Sequence, residues 1–487
     1  MNKATTKILE GIRYTLHGAL PETIRSLQLN SKEVQEGDLF FALRGSRTDG
    51  HRFIPEAVRN HAAAVVAETV TENLPVPQII VADSRAALSQ IAANFYNHPS
   101  RRLKIIGVTG TNGKTTTVYL LNQIFKSARK SRGTIGTLGY SINDHYRLLN
   151  LTTPDSIQLQ QILTEMSTAD VEYVAMEVSA HALSLNRVDT IDFLGGVFTN
   201  ISQDHLDFYG DMTHYVAAKI RLFHAIHSRG FRLSNIDDPH SRDFNQTGNA
   251  PLYTYGIKKK LADFSWDADV QFRSGISGKI LYKNGQIPVN AKLSGYFNLS
   301  NILAAAGAAI CAGLSPEHIS TALSRVEYIP GRVQEITKPG APRIFVDYAH
   351  TPDAIINVLT ALRNLVPPEG TLITVFGCGG NRDKSKRPQM AAAAATHSDS
   401  VIITTDNPRD EKPEDIIRDA LAGFPTDFHY EVIINRKEAI RSAIQTASPE
   451  DIIAILGKGH ENYQEIKGAK YPFSDVEIVE ECINDHR

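Results

Sequence analysis

Leu103-Lys104-Ile105-Ile106-Gly107-Val108-Thr109-Gly110-Thr111-Asn112-Gly113-Lys114-Thr115-Thr116-Thr117 reads as a strand, a glycine-rich turn and a helix start. Ile105, Ile106 and Val108 form a short apolar run of the buried-strand type. Gly110 and Gly113 permit a tight loop, and Lys114 with Thr115 opens a helix expected to run to about Lys126. Together the pieces make a phosphate cradle, because loop N–H groups, the positive end of a helix and an ammonium converge on one anion. The full loop pattern wants a glycine where Val108 stands, so the match is to the shorter Gly110-Thr111-Asn112-Gly113-Lys114-Thr115. Gly110, Thr111, Asn112, Gly113, Lys114, Thr115 and Thr116 become candidate phosphate contacts, with the Thr115 hydroxyl on a magnesium ion. A plain glycine turn with an exposed lysine is the competing reading, and the strand before and helix after it count against that.

Strands and helices alternate from residue 100 to about 331, as a sheet covered by helices requires. The predicted strand Val171 to Val178 ends at Glu177-Val178-Ser179-Ala180-His181. Its carboxylate then lies near the C-terminal edge of a parallel sheet, where ligands bind. A second strand, Phe193 to Phe198, leads into a run from Thr199 to Gly210 that is dense in metal-binding groups, Asn200 and His205 among them. Alone, Glu177 fits a cap or a salt bridge equally well, and His205 fits an ordinary surface histidine. Beside a phosphate cradle both become candidates for the surroundings of a magnesium-bound phosphate. A helix over 212 to about 226 carries Lys219, which by itself reads as a snorkelling surface lysine. Residues 251–293 read as β-hairpins with no site, and Asn298 to Asn301 as the cap of an alanine-rich helix reaching Ala312.

The segment from 1 to about 99 mixes short strands and helices, with Asp38 to Leu43 as its clearest strand and 45–50 as a polar loop. An Asn97-His98-Pro99-Ser100 turn closes it. Pro330-Gly331-Arg332 reads as a second hinge. Beyond it, strands from Ile344, Leu372, Val401, Tyr430 and Ile452 alternate with helices from Pro352, Arg387, Pro413 and Arg436, which is a doubly wound pattern. A dinucleotide fingerprint fails twice, since Gly377-Cys-Gly379 is followed by Arg382 and Gly457-Lys-Gly459 by Asn462 at the third glycine position. Three strand ends carry charge instead, at Arg382, at Asp406-Asn407-Pro408-Arg409 and at Gly457 to Glu461. Arginine suits a carboxylate through paired hydrogen bonds, so these loops read as a second binding crevice.

A chain of 487 residues exceeds one core and points to about three domains, here 1–99, 100–331 and 332–487. With 51 basic and 53 acidic residues there is no basic field for nucleic acid and no polybasic face for lipid. Cys311, Cys378 and Cys482 have no paired or metal-type spacing, which fits a reducing compartment. No signal core or membrane-length apolar run is present, so a cytoplasmic protein acting on small molecules is expected.

The loop at Gly110 to Thr115, Thr152-Thr153-Pro154, Glu177-Val-Ser179, the Thr199 to His205 run, Lys219, Asn298 to Asn301, Pro330-Gly-Arg332, Asp347-Tyr-Ala-His350 and the three C-terminal loops resemble the Mur ligase family over nearly the whole chain. The resemblance implies three α/β domains: an N-terminal mixed domain binding UDP, a central P-loop ATPase-type parallel sheet and a Rossmann-like C-terminal domain. It implies an ATP-dependent amide ligase, in which a substrate carboxylate is phosphorylated and an amine displaces phosphate from the acyl phosphate. Lys114, Glu177, His205 and Lys219 would be catalytic. Thr115, Glu177, His205 and Lys219 would hold Mg2+, Lys219 in carbamylated form, and Asn301, Arg332 and Asp347 would contact ATP. Ser31, Thr152, Thr153, Ser179 and Arg187 would hold a UDP-N-acetylmuramoyl-dipeptide (UDP-MurNAc-dipeptide). Asn30 and Leu185 depart from the usual pattern of that substrate site. Asp406, Asn407, Pro408 and Arg409, with Arg382, Gly457 and Glu461, resemble the pocket for meso-diaminopimelate. Arg409 can pair with the distal carboxylate that lysine lacks, and leaving it unpaired supports discrimination on the order of 10⁴. The alternatives are a lysine-adding or folylpolyglutamate-type ligase, which would not need the Arg409 motif, and a nucleotide-gated binding protein, which would not need Glu177, Lys219 and a second crevice. A monomer is expected, with an open resting arrangement because hinged domains move.

Overall fold

The computed structural model describes residues 2–45, 48–259, 261–267, 275–293 and 295–485. Residues 46 and 47 of the expected 45–50 loop, and 260 and 268–274 of the expected hairpin region, lie outside the described residues. The fold is α/β throughout, with three principal sheets in sequence order.

In the central sheet Lys104–Thr109 lies between Tyr173–Glu177 and Phe193–Phe198, parallel to both, with Val108 opposite Glu177 and Val197. Buried apolar side chains on both faces make these strands suited to the interior of a helix-covered sheet. Three strand ends carrying Gly110, Glu177 and Thr199 therefore stand side by side. One face is packed by Lys114–Ser127, Tyr296–Cys311 and Pro316–Arg325, the other chiefly by Ser156–Thr168.

Two local expectations are corrected. Leu252–Gly256 and Phe264–Trp266 extend the central sheet in parallel, and the expected antiparallel pairing holds from there on, Phe264–Trp266 with Ile276–Tyr282 and Ile276–Tyr282 with Gly285–Ala291. The short helix Ser241–Asn245 supplies the crossover that turns the first of them parallel. Asn298 and Asn301 sit within the helix Tyr296–Cys311, whose cap residue is Gly295. Both are buried within it, so neither caps the helix start.

The N-terminal sheet runs Thr15–His17, Gln78–Ile80, Ala64–Ala67, Asp38–Phe41, Ser26–Gln28, parallel except for its first strand. The C-terminal sheet runs Gln334–Ile336, Arg343–Asp347, Ile452–Leu456, Leu372–Cys378, Ser400–Thr405, Tyr430–Val432, again parallel after its first member. Pro352–Arg363, Lys386–His397 and Pro413–Leu421 cover one face, and Arg436–Thr446 with Asp475–Asp485 cover the other, which is the doubly wound arrangement. Pro330-Gly331-Arg332, the expected second hinge, packs closely against the Gly459–His460 segment. Gly331 has φ +63°, and an added Cβ would come 2.1 Å from the His460 nitrogen.

Candidate active site

The glycine loop is held by the strand beside it. Asn200 Oδ1 accepts from the Asn112 N–H at 2.9 Å, the Asn200 side-chain amide donates to the Asn112 carbonyl, and the Thr199 hydroxyl donates to the same carbonyl at 2.6 Å. Two positions need glycine. A Cβ at Gly110, where φ is +149°, would meet Thr199 Oγ1 at 1.9 Å, and one at Gly113, where φ is +86°, would meet Asn301 Oδ1 at 2.3 Å. Asn301 thus reaches the cradle from a helix far along the chain.

Lys114 closes back onto its own loop, its ammonium donating to the Gly110 and Thr111 carbonyls at 2.9 and 2.8 Å. Burial pulls its pKa down, against the opposing pull of Glu177 and Asp204. The Thr115 hydroxyl donates to Glu177 Oε2 at 3.1 Å and accepts from Arg332 Nη2 at 2.9 Å. Glu177 also accepts from the N–H and hydroxyl of Thr137, a residue the sequence did not suggest. Arg332 lies over the Tyr348 ring at 4.6 Å. Asp347 is buried and accepts from the N–H groups of Val333 and Ala349, so it shapes two turns as well as lining the cavity.

Lys219 is buried on the helix Met212–Ala225, donating to the Gly110 carbonyl at 2.7 Å and standing 4.6 Å from the Tyr215 ring centre. The snorkelling reading is corrected: burial, with Lys114 adding to it, holds the Lys219 pKa well below that of an ordinary lysine. His205 packs edge-on against His181 and lies 3.3 Å from Asp204. Burial pulls its pKa down to about 3, which makes it a neutral imidazole at physiological pH. Among the described residues no three His, Cys, Asp or Glu side chains converge as a ready cation cluster. Magnesium does not require one, since it keeps waters and phosphate oxygens and takes one or two protein oxygens. The adjoining Thr115 and Glu177 fit that demand. Lys219 as a free amine does not, and fits only as a carbamate.

One cavity of about 530 Å³ joins the phosphate loop, Glu177 and His205 to the C-terminal loops, and Gly110 and Lys219 are not among the residues that line it. Thr111 to Thr116, Thr152, Glu177, Ser179, His205, Asn301, Arg332 and Asp347 line it together with Arg382, Asp406, Asn407, Arg409, Gly457 and Glu461. Three polar contacts tie its sides: Lys386 to Asp204 at 2.7 Å, both nearly buried, Asn112 to Asp353 at 3.0 Å, and Arg332 to Thr115 at 2.9 Å. The expected open arrangement is thus not what the structure presents at this face. Burial opposes ionisation of Asp204, yet the Lys386 ammonium, by its charge and its hydrogen bond, holds the carboxyl below the ordinary value. The fully buried Lys458 donates to Glu461 and Asn407, and Asn407 donates to Glu461 at 2.8 Å.

Not every predicted residue reaches the cavity wall. Thr153 lies beneath it, its hydroxyl donating to the Glu177 carbonyl, and Arg187 donates to the Thr153 carbonyl at 2.9 Å. Pro408 turns its loop, its carbonyl accepting from Glu411. Ser31 is in the N-terminal unit, where its hydroxyl donates to Glu56. Asp204, Lys386 and Lys458 were missed. Asp204 lay inside the polar run after Phe198, but nothing in sequence pairs it with Lys386.

Comparison with known proteins follows the same division. Residues 23–96 match the "Mur ligase family, catalytic domain", 108–309 the "Mur ligase middle domain" and 331–459 the "Mur ligase, glutamate ligase domain". A Bacteroides fragilis UDP-N-acetylmuramoyl-L-alanyl-D-glutamate--2,6-diaminopimelate ligase is 42% identical over 466 residues, covering 95% of each chain. An Aquifex aeolicus protein of the same name is 43% identical over 460 residues, covering 94% of each. A solved structure of that name superposes with a TM-score of 0.69 at 32% identity, covering 100% of this chain and 99% of the other. The MurF ligase from Thermotoga maritima in complex with ADP shares the fold, with a TM-score of 0.64 at 20% identity over 95% of this chain and 97% of its own. With three family matches in order and relatives of this identity along nearly all of its length, the chain belongs to the Mur ligase family.

Proposed function

We propose that the chain is an ATP-dependent ligase that adds meso-diaminopimelate to UDP-N-acetylmuramoyl-L-alanyl-D-glutamate in cytoplasmic peptidoglycan precursor synthesis. The single observation that carries the reading is the shared cavity, where the phosphate loop and the Arg409 and Glu461 loops face one space. An acyl phosphate made at the first has only a short distance to travel to an amine held at the second. Relatives named for this reaction support the choice of substrates.

A carboxylate resists attack because it is already negative, so phosphorylation activates it and needs cations along the path. Lys114 supplies one, together with the loop N–H groups of Gly110 to Thr116. Magnesium, when bound, supplies charge neutralisation at the phosphates, and Thr115 and Glu177 would hold it. His205 and carbamylated Lys219 would serve a second ion. Asn301, Arg332 and Asp347 contact ATP, with Arg332 placed by Tyr348. Thr152, Thr153, Ser179 and Arg187 orient the muramoyl-dipeptide, and Ser31 meets its UDP end. Arg382, Asp406 to Arg409, Gly457 and Glu461 hold the diamino acid. Units 1–99, 100–331 and 332–487 act as UDP-binding, ATP-binding and amino-acid-binding domains of a monomer. No helix among the described residues is long and apolar enough to cross a membrane.

The test is phosphate release from ATP with UDP-MurNAc-dipeptide, comparing meso-diaminopimelate with lysine for wild type and Arg409→Ala. Turnover with diaminopimelate alone, lost in the variant, is the expected result. Equal use of lysine would overturn the specificity, and no turnover with either would overturn the ligase reading.

A further inference from the structure

Arg409 does not stand alone in its loop. It has φ +52°, a left-handed conformation that a bulky side chain rarely adopts without being held there. A strand holds it: the Arg409 N–H donates to the Glu465 carbonyl at 3.0 Å and the Lys467 N–H to the Arg409 carbonyl at 2.8 Å. The side chain is fixed too. Its Nε donates to Glu465 Oε2 at 3.1 Å and its Nη1 to the Gly380 carbonyl at 2.7 Å. The same hairpin, Tyr463–Ile466 with Ala469–Pro472, grips the rest of the motif. The Gln464 side chain donates to the Asp406 carbonyl at 2.7 Å and the Glu465 N–H to Asn407 Oδ1 at 2.9 Å.

We propose that Glu465 is a positioning residue for amino-acid selection: by occupying the Nε edge of Arg409 it turns the Nη1–Nη2 end of the guanidinium toward the carboxylate that distinguishes a diamino diacid from a diamino monoacid. Two parallel N–H donors from that end match a carboxylate geometrically, whereas a freely rotating arginine presents one at random. The inference rests on the proposed use of meso-diaminopimelate. Removal of the Glu465 side chain leaves the main-chain bonds of the hairpin intact, because those run through the Glu465 N–H and carbonyl.

Glu465→Ala and Glu465→Gln enzymes would be assayed with diaminopimelate and with lysine, recording kcat and KM for every substrate. The expected result for Glu465→Ala is a KM for diaminopimelate raised about tenfold, the scale of one charge-assisted hydrogen bond. Its KM for ATP and for the muramoyl-dipeptide stays near wild type, and its preference over lysine shrinks. Glu465→Gln, which can still accept from Nε, restores part of the preference. Unchanged KM and preference in both variants would overturn the proposal, as would an equal rise in KM for ATP and diaminopimelate, which marks a merely structural role. Wild-type enzyme that does not turn over diaminopimelate would overturn the functional reading and this inference with it. Normal wild-type turnover with silent variants would remove only the inference.

Discussion

Lys219 is an amine that the fold keeps out of water beside a second amine, Lys114, and that placement has a chemical consequence. Burial disfavours the ammonium form, and the unprotonated amine is the form that attacks carbon dioxide, giving a carbamate and one proton. The carbamate nitrogen retains one hydrogen, so the bond to the Gly110 carbonyl at 2.7 Å survives the change while the side chain turns from cation to anion. Native mass spectrometry under bicarbonate should show the mass of one carbon dioxide on the wild type and not on Lys219→Arg, whose activity should fall by on the order of 10² or more, the scale of one lost charge-stabilising group. An unmodified, fully active wild type would refute this. Sequence pointed to Lys219 only through family resemblance, because its burial depends on strands far from it in the chain. Lys114 and Thr115, which open the helix after the glycine loop, were suggested by the local strand–loop–helix pattern, whereas Glu177, at a strand end, became a candidate only beside that loop.

At the scale of elements, the alternation of strand and helix beyond residue 332 was readable because the inner strands are largely apolar and buried and helices there open on a proline or a capping threonine or asparagine. The first part of the stretch 251–293 misled, because short strands with polar neighbours look alike whether they pair as hairpins or return in parallel after a small helix. What sequence does not display is how two helices on one sheet face are pinned. The starts of Arg436–Thr446 and Asp475–Asp485 are joined by Arg436 and Asp475, both with fully buried side chains, in a two-pronged ion pair at 2.8 and 2.7 Å, and Arg436 also donates to the Leu456 carbonyl. Arg436→Leu would leave the Asp475 carboxylate buried without a partner, at a cost of about 3–5 kcal/mol. Urea unfolding should show the midpoint of the transition reporting the C-terminal sheet falling in Arg436→Leu, and falling less in Arg436→Leu with Asp475→Leu. A single variant no worse than the double would show that the unpaired carboxylate is not the source of the loss.

Across the whole molecule, the two sides of the cavity are joined by charge. Lys386 follows the Arg382 loop and Asp204 precedes His205, so their 2.7 Å contact links the wall that holds the amino acid to the wall that holds phosphate. The partners are 182 residues apart, and although Asp204 lies in the Thr199 to His205 run, nothing in sequence pairs it with Lys386, so the expectation of an open arrangement rested only on hinged domains being free to move. A buried pair of this kind is costly to break by halves, since the remaining charge keeps its desolvation penalty without its partner. Here the molecule has an escape: moving the C-terminal unit away returns Asp204 to water. Lys386→Met should therefore shift the population toward an open form instead of unfolding the chain. Small-angle scattering should show a larger radius of gyration for the variant than for wild type, and kcat/KM should drop on the order of 10². Asp204→Asn added to Lys386→Met removes the stranded charge and should recover part of the compaction. Identical scattering from wild type and Lys386→Met would mean that Asn112, Asp353 and the Arg332 contact to Thr115 suffice to keep the walls together, and that the ion pair serves only local packing.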